Sequence, residues 1–167
     1  MTLPQWMLLV FASWTIGVLI FPIGVYRWNL ILRGTRGIHS FRADASEGAD
    51  WYRRAMRAHA NCVENLPVFG ALVALASLTG TASTPLDVLA CVVIAARVGQ
   101  TITHVGFRET ALSGSVRFGF FAAQLCSMIV MAAIIAVHAA SAGQSLGDSG
   151  RGLAFRLSTG GAWPHAA

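Results

Sequence analysis

The sequence predicts an all-α fold, an integral membrane four-helix bundle, and three observations carry that prediction. Of 167 residues, 55% are hydrophobic and only 11% charged, against about 25% charged in a typical soluble domain; the mean hydropathy is +0.61. Four stretches, about 5–27, 58–79, 86–107 and 116–140, are apolar over the roughly 20 residues that cross a bilayer. The net charge of +5 comes from arginine alone, and those arginines sit beside the apolar stretches. That placement argues against a nucleic-acid-binding surface.

The first stretch begins MTLPQWMLLVF. It lacks the positive leader of a signal peptide and its apolar run is too long for one, so it reads as a retained helix. Trp6 and Trp14 near its start and Tyr26 and Trp28 near its end suit two interfacial belts. Pro22 is tolerated in such a helix, because neighbours satisfy the carbonyl it frees. The polar run from Arg33 to Tyr52, with Gly34, Gly37 and Gly48, is the longest connection, and long loops are often functional. Helix two begins near Trp51 and carries Pro67, where a kink is expected.

Thr79 to Pro85 is a short turn without a basic residue, and helix three follows from Leu86 to Phe107. The segment RETALSGSV, Arg108 to Val116, leads into helix four, which should end near Ala140. Residues 1–140 thus form one membrane domain. The Gly-, Ser- and Ala-rich tail from Ser141 to Ala167 is expected to be disordered, with Phe155 and Trp163 able to touch the membrane. Arg33, Arg36, Arg42, Arg53 and Arg54 flank the first loop, and Arg108 and Arg117 bound the third. Those loops should therefore face the cytoplasm, with both termini outside. Cys62, Cys91 and Cys126 fall inside predicted helices with no metal-ligand spacing, so they read as small packing residues and no metal site is expected.

The most informative stretch is RAHANCVENLPVF, Arg57 to Phe69, which puts charge and amide groups where composition demands lipid. On a helix, Arg53, Arg57, Asn61 and Glu64 share a stripe roughly 80° wide, with Glu64 about 10 Å beyond Arg57 along the axis. Arg97, Gln100, Thr101, His104 and Arg108 form a second stripe near the end of helix three, and Arg117 with Gln124 a third on helix four. Chain direction brings all three into the same half of the bilayer. Ionisable groups at that depth cost several kcal/mol on insertion scales and are functional candidates by default.

A structural alternative remains open for each. For Glu64 and Arg97 it is a buried ion pair with Asn61 as packing glue, and for Arg57 and Arg117 it is an anchor that snorkels to the headgroups. Read chemically, arginines with Asn and Gln donors suit an anionic, peptide-like ligand carrying several carboxylates. A guanidinium beside a thiol also favours the nucleophilic thiolate.

These residues resemble a known family, the membrane-associated proteins in eicosanoid and glutathione metabolism (MAPEG), in a bacterial-type member. The resemblance rests on RAHANCVENLP, the pair Ala96–Arg97 and the arginine Arg117 opening helix four, and extends from Trp6 to Ala140. It implies a homotrimer with glutathione bound as co-substrate between subunits. It also implies that Arg57, Asn61 and Glu64 contact the tripeptide, with Arg53 as a further ligand candidate and Arg97 as the structural or ligand-contacting arginine of helix three, and that Arg117 activates or orients the thiol as the catalytic residue. An arginine near the end of helix one is also used in the family, and Arg33 is a candidate for it. His104 stands where glutathione-using relatives carry a tyrosine, and is a candidate ligand donor in its place. Ala60 stands where one branch of the family has a basic residue, and Phe118 and Phe121 where a serine or tyrosine is found.

The resemblance therefore implies a glutathione transferase or peroxidase acting on lipophilic electrophiles delivered from membrane lipid. A non-catalytic lipid-binding or scaffold protein of the same fold is the alternative. A small transporter is a third reading, weakened by the lack of inverted repeats.

Overall fold

The computed structural model describes residues 1–41, 48–108 and 110–159, from 145 onward by backbone alone. Arg42 and Trp163 lie outside the described residues, as do the side chains of Arg151, Phe155 and Arg156. The described chain is all-α: α1 (Leu3–Leu32), a short 3-10 turn at Ile38–Ser40, α2 (Asp50–Leu78), α3 (Thr84–Gly106) and α4 (Ala111–Thr159). Each of the four long helices is apolar enough to cross a membrane, and the protein is a multi-pass integral membrane protein. Successive helices run antiparallel, so the end of α1, the start of α2, the end of α3 and the start of α4 share one arginine-rich end.

Local sequence sets the helix ends. The Thr2 amide donates to the Gln5 side chain at 2.9 Å where α1 starts. Ser83 Oγ accepts from the Leu86 amide at 3.4 Å ahead of α3, and Pro85 sits in its first turn, where no N–H is needed. Thr110 and Ser113 exchange amide-to-hydroxyl bonds at 3.0 and 3.1 Å to open α4, the reciprocal arrangement of a capping box. Gly34 and Gly80, at φ of +67° and +66°, end α1 and α2. Beyond them the amides of Thr35 and Thr81 reach back to the carbonyls of Leu30 and Ala76 at 3.1 and 2.9 Å, and only glycine adopts that left-handed turn without strain.

Two features depart from the regular helices the sequence suggested. Around Pro22, α1 widens into a π turn over Leu19–Gly24; the missing N–H and the clash of the ring with the Val18 carbonyl account for it. The last helix continues past Ala140 to Thr159, where a disordered tail from Ser141 was expected. No proline follows until Pro164, and an established helix propagates at little cost once nucleated. α2 remains helical on both sides of Pro67.

α3 packs against all three of its neighbours. The shared core joins Phe11 of α1, Cys62 and Phe69 of α2, Val93 of α3 and Met131 of α4, all fully buried. In lipid, burial of apolar surface gives no drive, so close contact through small residues holds such helices together. Ala55, Ala58 and Ala90 are buried between helices. A methyl added to Gly99 would lie 2.7 Å from the Phe120 ring, so that glycine admits α4 to the α3 backbone.

A second cluster closes the arginine-rich end. The Tyr26 ring stacks on Tyr52 at 4.5 Å and meets Trp51 edge-on at 5.1 Å. Arg27 donates to the Tyr52 hydroxyl at 2.7 Å and lies over the Phe41 ring at 5.3 Å. Trp6 and Trp28 are exposed, as membrane anchors should be. Tyr26 is not such an anchor but part of this clamp, and Trp14 turns inward and donates to Thr101 Oγ1 at 3.4 Å. Of the cysteines only Cys62 is a buried packing residue. Cys91 and Cys126 are exposed on the apolar outer surface, and all three are free.

Candidate functional site

The polar stripe of α3 turns into the bundle. Arg97 is only 1% exposed, and its placement follows from helical spacing: one turn on, the Gln100 Oε1 accepts from Nη1 at 2.8 Å. The guanidinium also lies 5.8 Å from the centroid of the Phe11 ring, a cation–π contact. The next turn adds Thr101, whose hydroxyl donates to the Arg97 carbonyl at 2.9 Å and lies 3.8 Å from Cys62 Sγ.

The α3 and α4 stripes meet. Gln100 Nε2 donates to the Arg117 carbonyl at 3.5 Å, and Arg117 Nη1 lies 3.4 Å from His104 Nδ1. A guanidinium cannot accept, so Nδ1 is the acceptor of that contact and any imidazole proton is on Nε2. Arg97, Gln100, Arg117 and His104 thereby form a connected chain from the protein interior to the half-buried Arg117. Gln124 is 1% exposed. Both of its amide atoms, and Nε and Nη2 of Arg97, have no hydrogen-bond partner among the described residues. Unsatisfied groups so deep are costly and mark a polar spot that an added molecule, water included, would satisfy.

The stripe of α2 faces the other way. Its buried side carries Ala55, Ala58, Cys62 and Phe69, while Arg53, Arg57 and Glu64 are exposed and Asn61 half-buried. Arg53 pairs with Asp50. Arg53, Arg54, Arg57 and Arg108 line one polar cleft with Asp50, about 500 Å³ in volume. The ion pair between Glu64 and Arg97 considered from sequence is not formed: Glu64 has no salt bridge among the described residues. It stands on the outer face of α2, while Arg97 is wrapped by Phe11 and Gln100.

The six candidate ligand residues and Arg117 therefore fall into two groups, an interior chain holding Arg97, His104 and Arg117 and an outward wall holding Arg53, Arg57, Asn61 and Glu64. Sequence reading left Arg27 and Arg54 out of the candidate set and placed Arg108 on the helix-three stripe without a ligand role. Arg54 has a visible signal in hindsight, since it follows Arg53 directly and reaches across to the Val105 carbonyl of α3 at 3.4 Å. Arg27 lay at the end of an expected span, where a lone cation reads as an anchor.

The arrangement supplies cationic and amide donors in quantity and one exposed carboxylate at mid-helix. Such donors are the chemistry that suits an anionic zwitterion or a developing negative charge. No curated protein matches the sequence. Residues 5–137, spanning all four membrane helices and both polar groups, match the MAPEG family, and the chain belongs to that family.

Proposed function

We propose that the protein is a glutathione-dependent membrane enzyme, a transferase or peroxidase for lipophilic electrophiles, working as a homotrimer with both termini outside the cytoplasm. One observation carries this reading. A wall of Arg57, Asn61 and Glu64 faces out of the subunit on a membrane-spanning helix, beside a buried chain that ends at Arg117. Charge turned toward lipid is expensive, so a second copy covers the wall, and the tripeptide lies in the seam. Arg57 and Arg53 suit its carboxylates, Glu64 its ammonium and Asn61 its amides.

Arg117 steadies the thiolate, and His104, accepting from its guanidinium, positions it. In the transferase reaction the thiolate sulfur attacks an electrophilic carbon, a C–S bond forms, the bond to the leaving group breaks, and the leaving group departs as an anion. The apolar acceptor arrives laterally from the bilayer.

The test is titration calorimetry of the detergent-purified protein with glutathione, repeated on Arg57→Ala and Glu64→Gln, with conjugation of an aryl chloride as the activity readout. Binding is expected in wild type and weaker in both variants. Arg117→Ala should lower kcat by about 10²–10³, as removal of an anion-stabilising donor does elsewhere. Absence of both binding and turnover sinks the proposal.

A second reading, a non-catalytic lipid-binding scaffold, is favoured by His104, which takes the place of the family's tyrosine hydroxyl and lies against Arg117. It requires lipid binding that survives Arg117→Ala together with no conjugation by wild type.

A further inference from the structure

We propose that the interior of the bundle, between Arg97 of α3 and Gln124 of α4, binds a small monovalent anion of halide size. Neither glutathione nor catalysis is needed for this site.

Of six buried polar side-chain atoms without a hydrogen-bond partner among the described residues, four belong to Arg97 and Gln124. On Arg97, Nη1 donates to Gln100 Oε1 at 2.8 Å, while Nε and Nη2 are unpartnered. Those two nitrogens form one edge of the guanidinium, the edge that grips an anion side-on. On Gln124 both amide atoms are unpartnered. The packing of α3 on α4 brings the two residues together: Gly99 lies against Phe120, and Gln100 Nε2 donates to the Arg117 carbonyl at 3.5 Å. From those contacts the antiparallel helices set Gln124 within about one turn of Arg97, a span that two long side chains close.

Charge decides the kind of ligand. Arg97 forms no salt bridge among the described residues. Its other neighbour is the Phe11 ring, 5.8 Å from the guanidinium carbon, and Glu64 stands on the outer face of α2. A guanidinium does not lose its proton in a protein, so it cannot escape burial by becoming neutral, and an uncompensated cation at this depth is costly. Water supplies hydrogen bonds and leaves that charge in place; an anion supplies both. Three of the four unpartnered atoms are donors, as an anion requires, and the fourth, Gln124 Oε1, takes one water beside the ion. Small size follows from burial, since Arg97 and Gln124 keep only 1% of their surface exposed. The half-buried Arg117 and then Gln100 lead inward to Arg97 from the arginine-rich end.

Melting curves of the full-length protein in detergent test this at one ionic strength in sodium chloride, sodium bromide and sodium gluconate, whose anion is too large to enter. Wild type should melt about 2–4 °C higher in either halide than in gluconate, with a saturable dependence on halide concentration. Arg97→Met should melt at the same temperature in all three salts, and Gln124→Leu should need more halide for the same rise. Arg33→Gln, which removes an exposed cation at the end of α1, should keep the full rise. Crystals grown in bromide should show an anomalous peak beside the Arg97 guanidinium, a readout that needs no variant to fold. Equal melting of wild type in all three salts overturns the proposal. A halide rise that persists in Arg97→Met, is unchanged in Gln124→Leu or disappears in Arg33→Gln overturns it as well, since general salt effects then explain the rise. Density beside Arg97 without a bromide signal overturns it in favour of water. Glutathione is left out of every measurement, so failure here and failure of the proposed enzyme are distinguishable.

Discussion

Arg97 and Gln124 bring two polar side chains to one level of the bundle. The contacts of Gly99 with Phe120 and of Gln100 with Arg117 fix the antiparallel register of α3 and α4, and that register sets Gln124 about level with Arg97. A buried guanidinium with two unpartnered nitrogens is a poor stabiliser, because desolvation offsets what its partners return. Replacing such a group by an apolar one of similar size is often neutral or stabilising by about 1–4 kcal/mol. Arg97→Met should therefore raise the melting temperature of the ligand-free protein. A melting temperature several degrees lower without ligand would show that Arg97 holds the bundle together instead. His104→Phe removes the acceptor that positions Arg117. It should lower kcat about tenfold, the worth of one hydrogen bond to a charged group, and leave the glutathione affinity within about twofold. A matching loss of affinity would mean that His104 contacts the ligand directly. The sequence made Arg97, His104 and Arg117 legible, because helical spacing alone puts them on facing stripes. It did not reveal that Glu64 and Arg97 stay apart, since that depends on how far α2 is rotated about its axis, which the other helices decide.

The elements follow simple rules of length and punctuation, and their exceptions have local causes. Apolar runs located all four helices, and Gly34, Gly80, Ser83 and the Thr110–Ser113 pair mark ends that can be read from residue type. The π turn at Pro22 was hidden, because proline announces a disturbed helix without saying whether it kinks or widens. The inward turn of Trp14 and Tyr26 was equally hidden, because an aromatic near a helix end is apolar enough for an interface and polar enough for a hydrogen bond inside. Contact between α3 and α4 depends on Gly99, where a Cβ would sit 2.7 Å from Phe120. Gly99→Val should destabilise the protein by about 1–3 kcal/mol, the usual cost of overpacking, seen as a lower melting temperature in detergent. Adding Phe120→Ala should recover most of that loss. Failure of the second substitution to help would show that the damage comes from the helix backbone and not from the ring.

At the scale of the whole molecule, α2 is the helix whose two faces disagree with a solitary life in lipid. One face buries Ala55, Cys62 and Phe69; the other exposes Arg53, Arg57 and Glu64. Glu64 stands midway along α2, where an ionised group costs of order 3 kcal/mol on insertion scales. An isolated subunit bears that cost, and an assembly that seals the face against another copy escapes it. Two consequences distinguish these cases. In mild detergent the wild type should have three times the 17.7 kDa of one chain. Glu64→Leu should then weaken the assembly, because a partner face built to satisfy a carboxylate is left with unpaired donors. If Glu64 instead meets lipid, the same substitution removes a penalty: the protein becomes more heat-stable and its mass in detergent is unchanged. Mass photometry of both proteins over a dilution series, with melting curves on the same samples, separates the outcomes. A Glu64→Leu protein that is more stable and identically sized would overturn both the trimer and the placement of the thiol peptide in its seam.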